Sequence, residues 1–266
     1  MVKLGGSVGE QFSPVVDDVA GHLAAGEKLV LVHGGSTAAD QLAERLGYPQ
    51  RQISSPSGVS SRYTDRPSLE ILLMACAGRL NKLLVEGLQQ RGVNAVGLSG
   101  IDGGLLQASR KKAVRAVVDG RTLLVRDDYS GRLQSVNVGL LSTLLEAGYT
   151  PVLSSFALSE ERECLNVDGD RVAALVAKAL RAQALVFLTN VPGLLRDPSD
   201  PGSLVRNISA RELVWYEKLA LGRMKKKLLA AAEALAGGVG QVVIAGAMQP
   251  KPLGRALRGE GTVITP

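Results

Sequence analysis

The sequence predicts an α/β fold: a doubly wound, largely parallel sheet with helices on both faces. Three observations predict it. Short apolar runs alternate with segments of helical periodicity along most of the 266 residues. Several of those runs empty directly into glycines, as strands do at the ligand-binding edge of an open sheet. The chain is 45% hydrophobic but only 3% aromatic, so its core rests on Leu, Val and Ala, which suits a sheet covered on both sides.

Taken in order, residues 2–4 and 28–32 are apolar runs, and residues 15–25 between them carry apolar side chains at helical spacing. The chain therefore opens as β-α-β. The second run ends in His33-Gly34-Gly35-Ser36, after which residues 37–46 read as a helix closed by Gly47. Residues 67–92 read as one long helix, with Pro67 in its first turn and Gly92 just past its end. A strand at 94–98 runs into the glycine-rich residues 99–104. The pattern then changes, because Val114-Arg115-Ala116-Val117-Val118 and Thr122-Leu123-Leu124-Val125 flank Asp119-Gly120, a strong hairpin signal. A β-hairpin at about 113–126 projects from the α/β body. A helix at 138–147, a strand at 150–154, a helix at 172–180 and a strand at 185–188 follow, then helices at 210–218 and 224–235 and a strand at 242–245. Residues 196–202, polar and proline-containing, read as a surface loop.

The formal net charge of +6 favours an acidic ligand, whether nucleotide, nucleic acid or acidic protein. One Trp, three Phe and five Tyr give little material for base-stacking platforms, so no nucleic-acid partner is expected. Cys76 and Cys164 form no CxxC pair, which argues against a metal site and a disulfide framework and for two buried thiols. No apolar run reaches the roughly 20 residues that span a bilayer, and no apolar leader opens the sequence. The expected setting is the cytoplasm, away from membranes.

Two glycine pairs stand where an open sheet collects anions: Gly5-Gly6 and Gly34-Gly35, each after a short strand. Glycine lets the backbone approach a phosphate closely. The chain contains neither a P-loop signature nor a dinucleotide-binding glycine fingerprint, so a different phosphate grip is required. Lys3, in an otherwise apolar strand beside a glycine pair, would be costly unless its ammonium faced an anion. Asn166-Val167-Asp168-Gly169-Asp170 offers short polar side chains before a helix; it reads either as N-cap chemistry or, through Asp170, as a device that orients lysines. Of Lys225-Lys226-Lys227, at the start of a helix, one member need face a site; Lys225 and Lys227 point about 200° apart and do not share a role. His33 follows a buried strand with no second ligand-type residue beside it and reads as packed and hydrogen-bonded; His22, within a helix, reads as structural. The segment from Ser60 to Arg66 sets two arginines among hydroxyls before a helix, partly as a capping box. Arg62 or Arg66 could clamp a carboxylate with paired hydrogen bonds.

In this order, Lys3-Leu4-Gly5-Gly6, Val32-His33-Gly34-Gly35-Ser36, Asn166-Val167-Asp168-Gly169-Asp170, Thr189-Asn190-Val191-Pro192-Gly193-Leu194 and Gly222-Arg223-Met224-Lys225-Lys226-Lys227 resemble the amino acid kinase superfamily, and within it most the acetylglutamate kinase family. The resemblance covers essentially the whole chain. It implies a three-layer αβα sandwich with two lobes, an amino-acid-substrate lobe at 1–158 and a nucleotide-binding lobe at 159–266. It implies ATP and Mg2+ as cofactors, the magnesium being held mainly by ATP, and a side-chain carboxylate as phosphoryl acceptor. Carried over residue by residue, it makes Lys3 and Lys227 the transition-state lysines and Asp170 the group that organises them. Gly5 and Gly6 would hold phosphate; Gly34, Gly35, Ser36, Arg62 and Asn166 would hold the substrate, Arg62 at its α-carboxylate. Asn190, Val191, Gly193, Leu194 and Leu195 would line the nucleotide site, with Asn190 where the family often carries aspartate.

Two departures from the acetylglutamate kinase pattern point to a substrate. Ser36 replaces the usual third glycine, and the segment from Gly58 to Arg66 is longer than its counterpart. Both resemble the branch that phosphorylates 2-aminoadipate attached to a small acidic amino-group carrier protein in lysine biosynthesis. A basic enzyme suits such a partner, and Arg51, Arg62, Arg66, Lys111 and Lys112 could form its docking face, although a solvated surface explains the last two equally well. The alternatives are N-acetyl-L-glutamate 5-kinase of arginine biosynthesis and a kinase serving both pathways. A homodimer through the long helix from Pro67 is expected.

Overall fold

The computed structural model describes residues 1–6, 12–54, 60–110, 113–118, 121–220 and 222–266. Strand β1 (Val2–Leu4), helix α1 (Ser13–Ala24), β2 (Leu31–His33) and α2 (Ser36–Arg45) make the expected opening. Strands β3 (Gln52–Ser54) and β4 (Ser60–Arg62) follow. The long helix is present as one rod in three parts: α3 (Arg66–Leu72), a π-helical stretch (Leu73–Leu80) and α4 (Asn81–Gln89). Next come β5 (Ala95–Ser99), β6 (Leu106–Arg110), the hairpin strands β7 (Val114–Val118) and β8 (Arg121–Val125), and β9 (Gly131–Val136). Helix α5 (Val138–Glu146), β10 (Thr150–Ser154), β11 (Phe156–Leu158), β12 (Cys164–Asn166), α6 (Gly169–Ala179) and β13 (Ala184–Thr189) lead to the last third. That third contains β14 (Asn207–Ser209), α7 (Ala210–Leu219), α8 (Gly222–Ala236), β15 (Gln241–Gly246), α9 (Pro252–Leu257) and β16 (Thr262–Thr265).

The main sheet has the order β14-β16-β15-β13-β1-β2-β10-β5, parallel except where β16 runs against β15. Side chains alternate between its faces, as the period of two in a strand requires. Val186 and Leu188 of β13 join α1, α4 and α9 in one apolar cluster, whereas Leu185 and Phe187 join α5, α6 and α8 in the other. Helices therefore cover both faces, and the three-layer αβα sandwich is the observed architecture. β1 sits between β2 and β13, so the two halves of the chain share one sheet. The lobe boundary expected near residue 158 falls at the end of β11, which pairs with β12 beyond it.

Two smaller sheets were not legible in advance. β12-β11-β6-β9 flanks the cleft, and β4-β3-β7-β8 extends the expected hairpin. Strands β3 and β4, Gln52-Ile53-Ser54 and Ser60-Ser61-Arg62, are short and polar, and tertiary pairing rather than propensity makes them strands. The turn Asp119-Gly120, Gly58, and Lys111 and Lys112 of the expected docking face lie outside the described residues. At the start of α3 the cap is Asp65 alone, its carboxylate accepting from Ser68 N at 3.0 Å, in place of a capping box.

Candidate active site

Lys3 reaches its site because of strand alternation. Val2 and Leu4 face the α1 side of the sheet, so Lys3 points to the opposite face, where the first turn of α6 lies. There its Nζ stands 2.6 Å from Asp170 Oδ1, while Lys227 Nζ of α8 donates to Asp170 Oδ2 at 3.0 Å. One carboxylate thus holds one ammonium on each oxygen. All three are buried, at 5%, 6% and 8% exposure for Lys3, Asp170 and Lys227. Burial opposes the charge on Asp170, but the two ammoniums outweigh it and hold its carboxyl below the ordinary range. Burial also pulls Lys227 below the usual lysine range, against the attraction of Asp170 and with repulsion from Lys3. The trio carries a net charge of about +1 in low-dielectric surroundings, a site that an anion would complete.

Asp170 is placed by its own helix cap. Asp168 accepts from Asp170 N at 2.9 Å and Arg171 N at 3.1 Å, which starts α6 at Gly169, ahead of the residue 172 expected from periodicity. The N-cap and lysine-orienting readings of this segment therefore fall on different residues of one motif.

The two glycine turns meet beside the trio. A Cβ on Gly6 would lie 2.8 Å from Gly35 N and 2.9 Å from Ser36 N, and one on Gly34 would lie 2.8 Å from Gly6 N. Three backbone nitrogens converge where side chains could not fit, and Ser36 N opens helix α2, whose first amides lack intrahelical partners. The Gly5 amide is spent on Leu188 O at 2.8 Å and that of Gly34 on Leu4 O at 3.0 Å, which ties the turns to the sheet. Within each pair it is Gly6 and Gly35 that sit at the meeting point.

A cleft of about 770 Å3 extends from this floor in two directions, and the site residues carried over from the family resemblance all line it. Toward β4 and β12, Arg62 pairs with Asp40 at 2.7 Å, and Asn166 Nδ2 donates to Thr64 Oγ1 at 3.2 Å. Arg66 is turned away to Glu70 at 2.9 Å, and Arg51 pairs with Asp65 at 2.7 Å, so of the three arginines Arg62 lines the cleft. Toward the last third of the chain, Val191 N donates to Thr189 Oγ1 at 3.0 Å and Leu194 N to Thr262 Oγ1 at 2.8 Å, fixing the loop that carries Asn190, Gly193 and Leu195. A Cβ on Gly193 would stand 2.6 Å from Thr262 Oγ1, so a larger residue would push the loop off β16.

A family model described as the amino acid kinase family matches residues 1–246. The chain belongs to the amino acid kinase family. It is 52% identical over 265 residues to a LysW-aminoadipate kinase of Deinococcus radiodurans, covering 100% of this chain and 91% of the relative. It is 50% identical over 266 residues to a LysW-aminoadipate kinase of Thermus thermophilus, covering 99% of each. Among solved structures, the smu.665 protein of Streptococcus mutans superimposes with a TM-score of 0.76 at 26% identity, over 99% of this chain and 97% of that one.

Sequence reasoning missed part of this amino acid kinase's cleft. Trp215, Tyr216 and Leu219 of α7, Met224 of α8, and Arg196 and Arg223 also line it. Trp215 is 58% exposed and packs edge-on against Tyr216 at 4.8 Å. A lone Trp in an aromatic-poor chain was a signal that could have been weighed. Among the described residues neither Arg196 nor Arg223 has an acidic partner. Of the lysine run, Lys226 and Lys227 line the cleft, with Lys226 4.0 Å from Asp168. Both cysteines are free; Cys76 is buried and Cys164 half-buried. No group of three or more His, Cys, Asp or Glu among the described residues is placed to hold a metal. No helix among them is long and apolar enough to cross a membrane.

Proposed function

We propose that this kinase transfers the γ-phosphoryl group of ATP to the side-chain carboxylate of 2-aminoadipate carried on a small acidic amino-group carrier protein. The observation that carries the chemistry is the pair of buried ammoniums on the two oxygens of Asp170, beside the converging amides of Gly6, Gly35 and Ser36. A carboxylate acceptor is already a nucleophile, so the reaction needs cancellation of charge rather than a general base. His33 agrees with that, being buried, with its pKa pushed down to about 4. The names of the 50–52% identical relatives support the carrier-linked substrate, as does the basic balance of the chain.

In this reading Lys3 and Lys227 face the transferred group from β1 and α8, and Asp170 keeps both in place. The Gly6, Gly35 and Ser36 amides receive phosphate oxygens, and the Gly5 and Gly34 amides hold their turns in place. Arg62 takes the substrate α-carboxylate and Asn166 its backbone. Residues 190–195 line the nucleotide, so the amino-acid half is 1–158 and the nucleotide half 159–266. The cleft fits the nucleotide's anion: its floor is cationic and its cradle is one that a Cβ would fill. Magnesium, when bound, would neutralise phosphate charge, and in this reading ATP supplies most of its ligands. A homodimer through the helix from Arg66 to Gln89 belongs to the same reading, and light scattering tests it. Trapping the acyl phosphate as a hydroxamate decides the substrate. Carrier-linked 2-aminoadipate should react, with N-acetylglutamate and carrier-linked glutamate at least ~10-fold slower in kcat/KM, a difference of about 1.4 kcal/mol. Preference for N-acetylglutamate would move the enzyme to the arginine pathway.

A further inference from the structure

His33 makes no contact with the cleft, yet it ends a hydrogen-bonded chain whose direction can be deduced. Asn81 lies on α4 beneath it. Its Oδ1 accepts from Lys82 Nζ at 3.2 Å, and its Nδ2 donates to Val152 O at 2.9 Å. Exchanging the two amide atoms would set oxygen against the Val152 carbonyl and nitrogen against an ammonium, so both neighbours fix the same orientation. Asn81 Nδ2 therefore faces His33 Nε2, 3.0 Å away, as donor. A ring nitrogen that accepts carries no proton, which places the proton of a neutral His33 on Nδ1. Nδ1 stands 2.8 Å from Gly34 O, within reach to donate to it.

That carbonyl belongs to the peptide whose other end is Gly35 N–H. The chain has no cis peptide among its described residues, so the N–H points away from the carbonyl and from His33. Gly35 N sits 2.8 Å from where a Cβ on Gly6 would stand, at the meeting point of the glycine turns. Glycines have little of their own to hold a peptide plane in one orientation. We propose that His33 is a positioning residue for phosphoryl transfer: its Nδ1–H anchors the Gly34 carbonyl, so that Gly35 N–H stays aimed into the cleft. The inference rests on the kinase reading above. A carbonyl that accepts a hydrogen bond also polarises its peptide, which makes the N–H at the other end a stronger donor. Burial favours the neutral form most, the Gly34 carbonyl pulls the other way, and Lys3 from β1 and Lys82 from α4 repel an added proton.

The test has two arms, both on the full chain. The first reads the imidazole 15N shifts; the chain has two histidines, and His22→Gln assigns them. His33 should be a neutral Nδ1–H ring at pH 7, and an Nε2–H ring or an imidazolium there would overturn the proposal whatever the substrate proves to be. The second arm compares His33→Asn, whose amide nitrogen takes the place of Nδ1, with His33→Gln, whose amide extends toward Asn81. The Gln variant should lose ~10- to 100-fold in kcat, with the Michaelis constants nearly unmoved, as for loss of a preorganised donor. The Asn variant should recover most of that loss at a similar melting temperature. Equal losses in both, or losses confined to the Michaelis constants, would sink the positioning role. A wild type that phosphorylates no carboxylate at all would instead remove the kinase reading and leave the tautomer result standing.

Discussion

Lys3 Nζ and Asp170 Oδ1 lie 2.6 Å apart, although they stand 167 positions apart in the chain and both are almost fully buried. Lys227 completes the arrangement from a third element, so a single carboxylate joins the first strand, α6 and α8.

Removing Lys227 should strike turnover. Lys227→Ala is expected to lower kcat by ~100-fold or more, the scale of losing one transition-state charge contact, with ATP affinity within several-fold. Single-turnover kinetics and nucleotide titration separate the two quantities, and near-normal turnover would exclude the role.

The same lysine sets an alkaline limit. Its folded pKa lies below the ordinary 10.5, so its positive charge is lost as pH rises through that lowered value. The kcat profile should fall on the alkaline side before pH 10.5, and Lys227→Arg should abolish that limb in whatever activity it retains, because a guanidinium stays charged.

Asp170 contributes to stability in acid with a definite sign. Its folded pKa is below 3.8, so its contribution is fully present above that value and is lost as pH falls through the folded value. Asp170→Asn leaves two buried ammoniums about a neutral amide and should cost about 3–5 kcal/mol, as breaking a buried ion pair does. Urea unfolding at pH 7 and pH 3 should show the gap between wild type and variant narrowing in acid.

Arg62→Ala should act on binding more than on chemistry. Loss of a paired guanidinium contact should raise the Michaelis constant of the carboxylate substrate by ~10- to 100-fold, with kcat little changed. An unaltered Michaelis constant would count against the clamp.

Gly35 and Cys76 should be energetically coupled. A Cβ on Gly35 would collide with Cys76 Sγ but would lie 3.3 Å from Cys76 Cβ. Gly35→Ala is expected to cost about 1–3 kcal/mol by overpacking, and Cys76→Ala should relieve most of it in a double-mutant cycle. The Cys76 thiol, pushed by burial up to about 12, should resist alkylation at pH 8 until the protein unfolds.

The sequence by itself determined six of the eight strands of the main sheet, all but β14 and β16, and marked residues that the structure brings into one cleft. Apolar runs ending in Gly5-Gly6 and Gly34-Gly35 marked strands and the turns at their carboxyl ends, because strand burial and glycine's backbone freedom are local properties. It also marked Lys3, since an ammonium in an apolar strand is expensive alone. Tertiary structure decided what local pattern could not. The π-helical stretch that brings Cys76 against Gly35, the polar strands β3 and β4, and the α7 wall bearing Trp215 depend on contacts between distant segments, for which neither spacing nor propensity carries a signal. So does the proton on His33. From sequence it reads as a packed histidine, and only Asn81, Lys82 and Val152 together fix which ring nitrogen carries the proton, because a tautomer is set by partners in space.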